Sequence, residues 1–114
     1  MPAISIKTSA PLGAAAKMAI KQSLGQIITI VPRKSERWLM VLFENVDDIY
    51  LGGDKDEPAA FIEVGLFGSA SKETYDALTR EMMAVLTEKL NISGERIYIK
   101  YSETPFWGWN GKNF

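Results

Sequence analysis

The sequence predicts an α+β domain, in which two strand–helix–strand repeats join into one four-stranded mixed sheet with both helices on one face. Three observations carry this reading. The apolar pattern runs from period two to period three-to-four and back, and does so twice in the same order. A turn-rich stretch from Gly52-Gly53 to Pro58 divides the chain near its middle. The halves also align weakly, with Lys34-Ser35-Glu36-Arg37 in the place of Ser93-Gly94-Glu95-Arg96 about 59 positions on, a period that suits one repeated supersecondary unit. Each half is long enough for a parallel crossover of the right-handed kind.

Taken in order, Ala3–Thr8 alternates, with Ile4 and Ile6 on one face, and reads as a half-buried strand. From Pro11 the period changes: Ala16, Ile20, Leu24, Ile27 and Val31 form one apolar stripe on a helix, which Pro32 stops. Arg37–Phe43 is nearly all apolar and reads as a strand buried on both faces. After the charged loop Asp54–Pro58, Ala59–Phe67 is the third strand. Ser71 is the expected N-cap of a second helix, with Glu73 in its first turn and Tyr75, Leu78, Met82, Val85, Leu86 and Leu90 on its inner face. Gly94 closes that region, Arg96–Tyr101 is the fourth strand, and an aromatic tail runs from Phe106 to the end. Two helices cover only one face of such a sheet. The doubly apolar Trp38–Phe43 segment therefore calls for a lid, most simply another subunit, the alternative being the chain's own tail over one side of that strand.

Composition narrows the chemistry. With 114 residues, the chain suits a single domain, residues 1–114. It contains no Cys and no His, which removes disulfides, thiol chemistry, Ser-His and Cys-His nucleophile systems and the common zinc sites. A catalytic base must then be a carboxylate, Lys, Tyr or the chain terminus. No metal and no cofactor are expected. The net charge of −1 and the absence of a basic stripe argue against nucleic acid as a partner. The apolar runs Ile27–Val31 and Trp38–Phe43 are too short to span a bilayer. No secretory leader opens the sequence, so a cytoplasmic location is expected, with export by a leaderless route left open.

Several pieces, in this order and spacing, make the whole chain resemble the macrophage migration inhibitory factor family. They are Met1-Pro2 opening directly into a strand, Lys34 before the second strand, Gly52-Gly53 followed by Glu57-Pro58, Ile92-Ser93 followed by Arg96-Ile97-Tyr98-Ile99, and Gly108-Trp109-Asn110 leading to Phe114. The resemblance implies a homotrimer with active sites between neighbouring subunits. It also implies that the initiator Met is removed and that the exposed Pro2 amine is the catalytic base. The chemistry is coherent: a free prolyl nitrogen is a secondary amine, and an apolar pocket with a nearby cation moves an amine from its ordinary value near ~8 towards neutrality.

The family's pocket lysine falls on Lys34, expected to bind a substrate carboxylate, with Arg33 beside it as the rival. Its pocket tyrosine falls on Tyr98, contributed by a neighbouring subunit. Ala3, Trp38, Leu66, Phe67, Trp107, Trp109 and Phe114 are the further positions that would line the pocket, an aromatic slot suited to an aryl pyruvate. Two departures bear on selectivity. The family's asparagine two residues after the tyrosine is Lys100 here, and the segment before Gly108 is about two residues shorter and carries Trp107. The cysteine pair of some members is replaced by Ala59 and Ile62, which excludes thiol oxidoreductase activity. The resemblance implies a keto–enol tautomerase of small 2-oxo acids such as phenylpyruvate. The alternatives are a cytokine-like protein that engages a cell-surface receptor, and a proline-based hydratase or dehalogenase using Glu36 and Arg37.

Overall fold

The structure, a computed structural model, describes residues 1–114. Strand β1 is Pro2–Thr8, and its even-numbered residues are buried while its odd-numbered ones are half-exposed. Helix α1 runs Ala14–Ile27 and tightens into one 3₁₀ turn, Ile28–Ile30, before Pro32. Ile20, Leu24, Ile28 and Val31 carry its buried stripe. Strand β2 is Met40–Asn45, β3 is Ala60–Phe67, α2 is Lys72–Leu90 and β4 is Ile97–Thr104. The sheet order is β2-β1-β3-β4, with β1 parallel to β2, β3 parallel to β4, and the two halves joined antiparallel through β1 and β3. This is the expected mixed sheet built from two repeats, and α1 packs beside α2 on one face of it.

The core lies between that face and the helices. Ile4, Ile6, Ile62, Val64 and Leu66 point up from the central strands to meet Ile20, Leu24, Leu78, Met82 and Leu86. Ser71 caps α2 as expected, its hydroxyl accepting the Thr74 N–H at 3.1 Å. The helix ends at Asn91, whose left-handed backbone (φ 55°) closes it three residues before Gly94.

The second strand differs from expectation. Glu36–Trp38 forms a 3₁₀ turn, so Trp38 lies outside the sheet and pairing begins at Met40 opposite Ala3. The strand is also not buried on both faces. Val41 and Phe43 pack on the core, whereas Met40 is 62% and Leu42 47% exposed, because β2 is an edge strand whose other face nothing in the chain covers. Ser35 and Ser93 occupy equivalent places, each preceding the 3₁₀ turn that leads into a parallel strand. The repeat is therefore offset by one residue from the pairing of Lys34 with Ser93. The aromatic tail folds as a small hairpin, β5 (Gly108–Trp109) against β6 (Lys112–Asn113). Its turn, Asn110-Gly111, has positive φ at both residues (51° and 86°), as a type I′ turn requires.

One polar knot, built on the buried Thr8, ties the far ends of three strands. The Thr8 hydroxyl donates to the Ala59 carbonyl at 2.8 Å and accepts the Ala10 N–H at 3.1 Å. The Asn45 amide spans the Thr8 and Ala10 carbonyls at 2.8 and 2.9 Å. Thr8→Val keeps the shape but strands the Ala10 N–H in the core. It should cost about 1–3 kcal/mol, the penalty for an unsatisfied buried donor, read as a lower urea midpoint at fixed protein concentration. An unchanged midpoint would show the knot to be dispensable.

Candidate active site

The amino end enters the sheet between β2 and β3, with Pro2 buried opposite Leu66. Both backbone groups of Phe67 are engaged here. Its N–H donates to the Met1 carbonyl at 3.2 Å, and its carbonyl accepts from Lys34 Nζ at 2.9 Å. Lys34 reaches this place from a tight turn, in which its N–H donates to the Val31 carbonyl at 3.1 Å. Pro32 fixes the second position of that turn, and Arg33 takes the third with φ 69°, the left-handed backbone that a type II turn demands.

The α-amino group of Met1 reports what this place does to an amine. It is lowered from 8.0 to about 6, first by burial, then by a hydrogen bond with Lys34 and the repulsion of the Lys34 ammonium. Each effect disfavours the protonated form, so the amine is mostly neutral at pH 7.

Aromatic rings gather on one side. Trp38 meets Trp109 edge to face at 5.1 Å, Trp109 stacks on Phe114 at 6.2 Å, and Phe114 lies 6.1 Å from Phe67. Trp107 lies over Gly65, where an added Cβ would stand 4.0 Å from its ring. Beside Lys34 a cleft of about 840 Å³ opens, walled by Arg33, Lys34, Phe67, Ser69 and Thr74 among others, with no acidic side chain.

The chain thus brings together Pro2, Lys34, Phe67, Trp38, Trp109 and Phe114, and sets Ala3 one residue further along β1. It does not bring Tyr98 or Lys100. These lie on β4 opposite Phe61 and Glu63, whereas Pro2 is level with Leu66 and so with Glu103. Tyr98 is therefore displaced by five residues, roughly 16 Å of strand. Lys100 Nζ stands 3.9 Å from Glu63 Oε2. Leu66 is sealed in the core at 1% exposure, its side chain turned to the helices, so it presents only backbone to this region. Glu36 lies against Gly25 of α1 and pairs with Lys21 at 3.4 Å, while Arg37 stacks over Trp38. The carboxylate that a hydratase reading needs is thus committed elsewhere.

One participant carries no side-chain signature in the sequence, the Phe67 backbone. Arg33, the rival of Lys34 in the sequence, is placed by a turn whose third position usually signals Gly. Pro32 before it was the one available hint.

Comparisons with known proteins bear on the family and the fold. The family model described as macrophage migration inhibitory factor matches residues 1–114. A macrophage migration inhibitory factor of Xenopus laevis is 33% identical over 73 residues, 60% of this chain and 61% of the relative, so the match spans less than two thirds of that protein's length. Among solved structures, MIF2 of Leishmania major superposes with a TM-score of 0.92 at 29% identity, covering 100% of this chain and 97% of the other. The macrophage migration inhibitory factor of Toxoplasma gondii gives 0.90 at 20% identity, covering 98% and 99%.

In protein that keeps Met1, the α-amine should react with an acylating reagent along a titration curve centred at about 6. Lys34→Met removes the neighbouring charge and should move that midpoint upward, towards the ordinary value, because protonation is no longer opposed by a cation. Identical curves for both proteins would mean that Lys34 does not act on the terminus.

Proposed function

The chain belongs to the macrophage migration inhibitory factor family, and we propose that it is a keto–enol tautomerase of small 2-oxo acids such as phenylpyruvate, with Pro2 as general base after removal of Met1. One observation carries the reading: the amino end lies where burial and Lys34 keep an amine neutral near pH 7. A base poised near the operating pH is what proton abstraction calls for.

The residues divide the work in a simple way. Lys34 holds the substrate carboxylate as a charge-assisted partner. Loss of Met1 takes away the carbonyl that the Phe67 N–H now binds, and this freed donor is aimed at a substrate oxygen. Pro2 nitrogen accepts the enol hydroxyl proton, and the resulting prolinium returns a proton to the adjacent carbon. No net charge is gained or lost. The rings of Phe67, Trp109 and Phe114 supply an apolar wall for an aryl group.

The assembly proposed with this function is a homotrimer. Its support is the uncovered sheet face, with Met40, Leu42 and Tyr98 exposed by 47–62%, together with the distance of Tyr98 and Lys100 from their own Pro2. A neighbouring subunit would bring these two residues to the site and cover the apolar edge. Sedimentation should report about three times the chain mass, and a stable monomer at micromolar concentration would defeat this arrangement.

The base is tested by turnover of enol phenylpyruvate in three proteins of equal oligomeric state: Met1-free, Met1-retaining and Pro2→Gly. The Met1-free form should be faster than the other two by about 10²-fold or more, the usual scale for a general base. Its rate should fall as pH drops and the Pro2 amine becomes protonated, since protonation removes the base. Equal rates in all three would exclude Pro2.

A further inference from the structure

The open volume beside Lys34 is not the aromatic slot. The aromatic rings are packed on one another, whereas the cleft of about 840 Å³ has a mixed lining, with Arg33, Ser69 and Thr74 next to Lys34 and Phe67. Arg33 is exposed and forms no salt bridge and no ring contact within the chain. The hydroxyls of Ser71 and Thr74 are spent on each other at 3.0 Å and on the helix cap. Arg33 is thus the free charge on that wall.

Its backbone is informative. A φ of 69° is strained for a side chain other than glycine, Asn or Asp. Glycine would make the same turn without that strain and would leave Lys34 where it is. An arginine held there keeps its strain for no contact made within the chain. Residues of this kind concentrate at binding sites, where the side chain is needed by something from outside. A guanidinium offers a planar fork that fits a carboxylate, and it lies one residue from the lysine that faces the amine.

We infer that Arg33 is a second anion-binding group of this site, and that the site favours 2-oxo acids bearing a second carboxylate over those with one. This rests on the tautomerase reading for the first carboxylate and the reacting carbon. Lys34 takes the carboxylate next to the ketone. Arg33 takes the distal one, across the mouth of the cleft.

The test is a matched pair, 2-oxopentanedioate and 2-oxopentanoate, which differ at the far end only. Exchange of the C3 protons into deuterated water is followed by NMR with Met1-free protein. The diacid should lead in kcat/KM by about 10- to 100-fold, the range of a charge-assisted contact. Arg33→Gly should collapse that lead and leave the melting temperature equal or higher, while Arg33→Lys should restore part of it. Equal kcat/KM for the two acids in the starting protein overturns the inference, as does a lead that survives Arg33→Gly. A lower melting temperature for Arg33→Gly with unchanged selectivity would assign Arg33 to the fold instead. Enol phenylpyruvate runs alongside: its turnover with no diacid preference refutes Arg33 alone, while its absence refutes the tautomerase reading. In the second case, calorimetric binding of pentanedioate against pentanoate still reads the subsite, and equal affinities there overturn it.

Discussion

The structure depends on where its first residue is held. Pro2 begins a strand that is central to the sheet, hydrogen-bonded on one side to β2 and on the other to β3. A terminus at a sheet edge or in a loop would be solvated and would titrate normally. Here the amino end is fixed by pairing on both sides, and the Met1 carbonyl is locked onto Phe67. Everything near it follows from that placement. β3 ends beside the amine, so its last residue offers both backbone groups to the same spot. The turn after α1 must cross the same end of the sheet to reach β2, which delivers Lys34. The hairpin of the tail folds back over the gap that remains.

The same plan leaves one face unfinished. Two helices suffice for one side of a four-stranded sheet, and the core they form is closed, with no buried side-chain polar atom lacking a partner. The opposite side carries Phe61, Tyr98, Leu42 and Met40 among Ser5, Lys7 and Lys100. This is a mixed surface and not a second core. It suits contact with protein copies around a wet interior better than a dry sandwich, which fits the proposal that the chain works as an assembly.

How much of this was legible follows from what each signal encodes. Periodicity encodes which face is buried, so both helices and three of the strands could be placed from it. It does not mark where pairing starts, and Trp38 looked like strand because an apolar run has no period to interrupt. Parity along β3 is written in the sequence. Leu66 shares its face with Ile62 and Val64, and Phe67 takes the other, so neighbours in a strand cannot both turn their side chains to one pocket. Asn110-Gly111 is a plain hairpin signal inside the aromatic tail. By contrast, no sequence rule announces a backbone carbonyl as the partner of Lys34, or an arginine on left-handed backbone. These are set by turns whose geometry only the folded chain displays.

A single lysine performing two tasks has a consequence for the proposed chemistry. In the empty site the Lys34 ammonium faces the amine directly, and its repulsion helps keep the amine neutral. When a carboxylate binds Lys34, that repulsion is largely cancelled, and the amine becomes a stronger base in the complex than in the free protein. The base is thus kept unprotonated while waiting and is strengthened on binding. On the inference drawn for Arg33, its guanidinium would add to this without entering the chemistry, because it would balance the charge of a distal carboxylate while Lys34 balances the proximal one. Burial, the largest contribution at the amine, does not change with substrate charge. It sets the floor from which the two cations and their anionic guest adjust the base.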